Sequence, residues 1–169
     1  ASGEHVHRVE RLRDRIDVML IAPSTDLDGW HDYAAMRDAA SDAIPAVEIS
    51  PGDECNIIYS SGTTGLPKGI VHDHAGREAW GSDLAVSLRY HSGARSLCNL
   101  GLFSNITWVG MLATFFAQGA IVISRRFSVE ECLETIEKHR VTHAVMVPLQ
   151  YQKLIEHPDF GKYDLSSLD

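Results

Sequence analysis

The sequence predicts an α/β fold, a largely parallel sheet with helices on both faces. Short apolar runs of strand length recur at residues 18–22, 56–59, 96–103, 120–123 and 144–147. From residue 56 onward they alternate with segments of helical character. That order implies crossover connections between parallel strands.

The elements follow in turn. Residues near 4–16 predict a helix, with Val6, Val9, Leu12 and Ile16 close to one face. Residues 18–22 are a continuous apolar run ended by Pro23, the mark of a buried strand. Residues 24–32 are polar, with a turn signal at Asp28-Gly29. Residues 33–43 read as a short helix and residues 50–53 as a turn. The strand at 56–59 runs straight into a Gly-rich loop, and a helix follows over 74–88. Residues 107–118 predict a helix closed by Gly119. The clearest helix spans 128–140. Ser128 with Glu131 suggests a capping box, Phe127 a staple onto Cys132, and Lys138, His139 and Arg140 suit the negative end. Pro148 stops the strand at 144–147, and residues 150–156 form a last helix. No repeat, low-complexity segment or convincing internal linker interrupts the chain.

At 169 residues the chain is one domain's worth of polypeptide. Its 44% hydrophobic, 22% charged and 8% aromatic content excludes a disordered tail, a fibre and a disulfide miniprotein. Fifteen Lys and Arg against 23 Asp and Glu leave a net charge of −8. That argues against nucleic-acid or anionic-membrane binding, although backbone amides and one Lys can still make a local anion site. Nine His make the balance sensitive to mild acid. Cys55, Cys98 and Cys132 are odd in number and widely spaced, which predicts free thiols in a reducing cytoplasm rather than a zinc or disulfide framework. Residues 96–124 carry no charge, but eleven of these 29 are Gly, Ser, Thr, Asn or Gln. They read as strand, buried helix and strand, not as a membrane span.

The chemistry gathers in Tyr59, Ser60, Ser61, Gly62, Thr63, Thr64, Gly65, Leu66, Pro67, Lys68 and Gly69. Glycines let backbone approach a ligand, hydroxyls and N–H groups donate to phosphate oxygens, and Lys68 is a mobile cation. This is not a Walker A loop, because Pro67 stands where its second Gly would be and Gly69 replaces the metal-binding hydroxyl. The string resembles the signature loop of adenylate-forming enzymes, the superfamily of acyl-CoA synthetases, 4-coumarate-CoA ligases, luciferases and peptide-synthetase adenylation domains. It matches their Ser-Ser/Thr-Gly-Thr-Thr-Gly-x-Pro-Lys-Gly pattern at every fixed position. Ile70 to His74, Leu102-Phe103, Phe127 to Glu131, Val141 to His143, Val147-Pro148 and Tyr163 to Leu168 also resemble family text. The likeness is close over residues 50–169 and looser over 1–49.

The resemblance implies ATP-dependent activation of a carboxylic acid, fatty or aryl, to an acyl-adenylate and then a thioester of coenzyme A. Magnesium assists in such enzymes. Ser60, Ser61, Gly62, Thr63, Thr64 and Lys68 would embrace the β- and γ-phosphates, with Gly65 and Gly69 giving the loop mobility. Ser104 stands where many relatives carry His, so Ser104, Asn105 and Trp108 become the candidate acyl pocket. Trp108, Met111 and Phe115 share one side of the predicted helix, a stripe that reads first as core. His72 and His74 lack a third ligand and read as structural or solvated, not as a metal site. The family's Tyr-Gly-x-Thr-Glu segment, ribose-binding Asp and mobile C-terminal domain with its catalytic Lys are not in this sequence. The expectation is a partial N-terminal domain of a cytoplasmic ligase, with no catalytic residue of its own. As a piece it would have apolar surface open to self-association. The alternative is a stand-alone, non-catalytic α/β module that binds a phosphate ligand or a protein partner.

Overall fold

The computed structural model describes residues 5–15, 17–23, 26–61, 65–124 and 126–169. The chain divides into two compact units, Ala1–Glu48 and Ile49–Asp169.

The first unit is built round Val6, Leu20, Ala22 and Trp30. Helix α1 (Val6–Glu10) is followed by a 3-10 turn at Arg13–Arg15. The predicted helix over 4–16 is thus much shorter, and its Ile16 lies outside the described residues. A five-residue helix without a side-chain cap cannot extend through the charged run at 11–15 on propensity alone. Strand β1 (Ile21–Ala22) pairs in parallel with β2 (His31–Asp32). Val18 and Met19, expected in that strand, are 60% and 62% exposed. Asp32 caps α2 (Tyr33–Ala39) through the Ala35 amide at 2.8 Å.

The second unit begins with an antiparallel hairpin, β3 (Glu54–Ser60) and β4 (Lys68–Asp73). The Gly-rich loop therefore lies in a hairpin connection, not at the end of a parallel strand leading into a helix. Asp73 caps α3 (His74–Ser87), its carboxylate accepting from the Gly76 amide at 2.6 Å. The predicted turn at 50–53 holds the start of α3, since His74 N donates to Asp53 O and Ala75 N to Pro51 O.

The parallel sheet follows. Strands β5 (Arg95–Cys98), β6 (Ala120–Ile123) and β7 (His143–Ala144) are ordered β6-β5-β7. Alternation along β5 turns successive side chains to opposite faces. Ser96 meets Thr114 of α4 (Asn105–Phe116) at 2.5 Å. Leu97 packs with Cys132, Leu133 and Ile136 of α5 (Val129–His139) and Leu154 of α6 (Pro148–Ile155). Helices thus cover both faces, as expected. The uncharged stretch resolves into β5, α4 and β6, and no described helix is long and apolar enough to cross a membrane.

Three local expectations change. Ser128 caps α5 through the Glu131 amide at 3.1 Å, but its hydroxyl engages Glu130 rather than completing a box with Glu131. The strand expected over 144–147 shortens to His143–Ala144, so Pro148 does not end it but opens α6, where its missing N–H costs nothing. The Trp108, Met111 and Phe115 stripe is not the core face of α4. Thr107, Gly110, Ala113 and Thr114 are buried, while Phe115 is 60% exposed. Cys98 and Cys132 are buried free thiols and Cys55 is a half-buried one. Burial pushes the Cys132 thiol up to about 11.

Candidate functional site

The hairpin register sets the geometry of the loop. Ser60 pairs directly with Lys68, and Tyr59 with Gly69. Residues opposite one another in an antiparallel ladder share a face. Ser60, Ile58 and Asn56 therefore face the same way as Lys68, Ile70 and His72. Ser60, Ser61 and Lys68 are exposed at the mouth of the loop, and Lys68 is in no ion pair among the described residues. Gly62, Thr63 and Thr64 lie outside the described residues. Gly65 adopts φ +82°.

Gly69 sits within β4 rather than in a free loop. A Cβ there would come within 3.1 Å of Ile57 Cγ2 and 3.3 Å of the Tyr59 ring. Its small size lets Tyr59 lie across the backbone, which is a different use from the mobility expected of it.

A cavity of about 370 Å³ opens beside the hairpin, lined by Ile58, Ser60, Ile70, His72, Ser104 and Asn105. The first and second residues of the candidate acyl pocket thus share a wall with the first hydroxyl of the signature loop. Ser104 is the N-cap of α4 but makes no side-chain cap bond. Trp108 Nε1 donates to Leu102 O at 2.8 Å. Trp108 also lines a neighbouring space of about 350 Å³ with Asn56, Ile58, Leu102 and Phe103. His72 reaches both the Ser60 cavity and another of about 410 Å³. Burial, then the Arg77 charge, lower its pKa, with Asp73 opposing. His74 is exposed at the start of α3.

Sequence reasoning missed Arg77. It lies one turn into α3 and is 7% exposed. It bonds Asn56 and Asn105 and lies against the rings of Trp80 and Trp108. The available signal was an Arg and a Trp at i, i+3 spacing on a predicted helix, which is too common a pattern to single out.

A mostly apolar cavity of about 540 Å³ lies elsewhere, among Tyr90, Leu133, His143, Met146 and Leu154. Its lining contains no Lys or Arg. Among the described residues no three His, Cys, Asp or Glu side chains gather as a metal site.

These features and the known proteins agree. The AMP-binding enzyme family matches residues 2–169, so the chain belongs to that family. The match includes the upstream region whose likeness is looser. Among curated relatives, 4-coumarate–CoA ligase CCL1 of Humulus lupulus is 35% identical over 161 residues, covering 90% of this chain and 29% of that protein. Indoleacetate–CoA ligase of Aromatoleum aromaticum is 32% identical, covering 96% and 32%. The chain thus spans roughly three-tenths of the length of these relatives. The crystal structure of the N-terminal domain of FACL13 from Mycobacterium tuberculosis superposes with a TM-score of 0.81 at 22% identity, over 99% of this chain and 42% of that one. At that identity the likeness establishes the fold.

Proposed function

We propose that this chain is the phosphate-gripping part of an AMP-forming acid–thiol ligase. The carrying observation is the register that sets exposed Lys68 opposite exposed Ser60 at the mouth of a Gly-rich hairpin loop. The names of the relatives support the reaction class, since they are ligases joining 4-coumarate or indoleacetate to coenzyme A.

In this reading, a carboxylate oxygen of the acid attacks the α-phosphorus of ATP. The bond to the bridging oxygen breaks, and pyrophosphate leaves with its electron pair. Ser60, Ser61 and Lys68, with Gly62, Thr63 and Thr64, hold the β- and γ-phosphates. Positioned donors and a cation stabilise charge gathering on the leaving group. The coenzyme A thiol then attacks the acyl carbon and AMP departs. Magnesium would neutralise phosphate charge when bound. Among the described residues no His, Cys, Asp and Glu cluster gathers to hold it. The acid, an aryl or alkyl carboxylate, occupies the cavity between Ser60 and Ser104. Its aliphatic and aromatic walls suit such a group, and Ser104 in place of the family His leaves that end less bulky. A cytoplasmic setting accords with three free cysteines, two of them buried.

The test is ATP–pyrophosphate exchange by the intact protein that carries this chain. Lys68→Ala should slow exchange by about a hundredfold, the scale of losing one aimed transition-state donor. An unchanged rate removes Lys68 from the phosphate grip.

A further inference from the structure

Arg77 holds a charge that no carboxylate among the described residues neutralises. Burial of a guanidinium is costly unless its charge and its N–H groups are met. Nε donates to Asn56 Oδ1 at 3.0 Å and Nη1 to Asn105 Oδ1 at 3.3 Å. The Trp80 and Trp108 ring centroids lie 4.9 and 5.2 Å from its central carbon, so cation–π contact covers it. Nη2 is buried and has no partner among the described residues. No carboxylate pairs with it there. The titratable groups that interact with it are the Cys55 thiol and the His72 imidazole, and the nearby Asp73 carboxylate is engaged in capping α3. A guanidinium has five N–H donors. Two are used here, leaving one on Nη1 and both on Nη2, the forked end that suits an oxygen acceptor.

The position of Arg77 gives that fork a purpose. It lines the cavity of about 410 Å³, whose wall also contains His72 and Asn105. Those two residues belong equally to the cavity that begins at Ser60. The two spaces thus share His72 and Asn105 as a common wall, which sets Arg77 one cavity away from the signature loop.

We infer that Arg77 recognises a second oxygen acceptor on the acid, at the end remote from the carboxylate that is activated. This inference rests on the acid-activating role proposed above. The substrate class is an acid whose distal end bears a carboxylate or a hydroxyl. Both meet the same N–H fork, and the anionic form also meets its charge.

The experiment uses the intact protein and three chain-length-matched series: alkanoates, ω-hydroxyalkanoates and α,ω-dicarboxylates. ATP–pyrophosphate exchange should favour one acceptor-bearing series by at least about tenfold in kcat/KM, the scale of an unpaired buried polar group in a binding site. The favoured series tells a neutral acceptor from an anionic one. Arg77→Leu should abolish the preference, read as the ratio of kcat/KM for the favoured series to that for the alkanoates in the same variant. Equal use of all three series, or an unchanged preference in Arg77→Leu, overturns the inference. If Arg77→Leu does not fold, Arg77→Lys takes its place, and the preference should fall by about tenfold because the fork is gone.

Binding is read separately by tryptophan fluorescence without ATP, since Trp80 and Trp108 flank the guanidinium. Absence of exchange with every acid would defeat the ligase reading alone. In that case an acceptor-dependent fluorescence change in the wild type, missing in the Arg77 variant, upholds Arg77 as the recognition group, and no such change overturns it.

Discussion

Gly119 shows how a single residue can be placed for a reason other than its expected one. Gly at this point suggests a left-handed helix end. The left-handed residue is in fact Gln118, at φ 61°. Gly119 is needed for close approach: a Cβ there would sit 2.5 Å from Ala94 O, which accepts the next amide, Ala120 N, at 2.8 Å. That contact seats β6 beside β5. Gly119→Ala must displace the backbone, and a loss of about 1–3 kcal/mol is expected, the range for overpacking. Chemical denaturation of the protein measures it, and a loss below about half a kcal/mol would mean that the sheet edge yields freely. Arg77 is the converse case at this scale. Its type is ordinary for an exposed helix position, and only burial among Asn56, Asn105 and two indoles makes it exceptional.

Among the elements, α5 was the most legible. Its apolar positions lie at helical spacing, its acids stand at the start and its bases at the end, and the structure reproduces it as Val129–His139. The Ser128 hydroxyl meets the Glu131 amide, one of the donors left over at a helix start. Ser128→Ala should cost about 1 kcal/mol. An unfolding midpoint equal to the wild type would show that Glu130 or solvent replaces the cap. The hairpin was less legible. Asn56 to Tyr59 read as one strand of a crossover, and β4 was taken for a lead into the helix. Pairing of β3 with β4 depends on which segment comes to lie beside β3, and short apolar runs look alike in parallel and antiparallel sheets. The face of α4 was also misjudged, because a Trp, Met and Phe stripe has the same spacing whether it faces core or cavity. Small residues won the core face since Ser96 and Thr114 approach closely there.

The second unit as a whole is expected to respond to acid through half-buried imidazoles. His143 stacks on Tyr90 with ring centroids 4.0 Å apart, and its Nδ1 lies 2.6 Å from the Thr142 hydroxyl. Burial lowers its pKa. The Leu88 carbonyl and Asp169 pull the other way, and His91 adds to the lowering. His72 is lowered in the same direction. With its pKa depressed, the folded state binds fewer protons than the unfolded chain, whose imidazoles titrate near about 6.5. The contribution is complete above that pH and is lost as pH falls through and below it. Stability of the protein should therefore drop between about pH 7 and pH 5. Replacing His143 with Phe, which keeps the stacking, should reduce that slope, leaving the part due to His72. An identical slope in the variant would assign the acid sensitivity elsewhere.

The sequence by itself determined the family, the Gly-rich signature loop and the helix-on-both-faces plan of the sheet. Those depend on residue order over short distances: an eleven-residue motif, helical periodicity, caps and strand-length apolar runs. Only the tertiary structure decided that Lys68 stands across from Ser60 in an antiparallel hairpin, that α4 turns its small residues inward, and that Arg77 is buried with no carboxylate paired to it among the described residues. Those depend on which segments meet in space, and local preferences do not encode the partners that come from β3, α3 and α4 together.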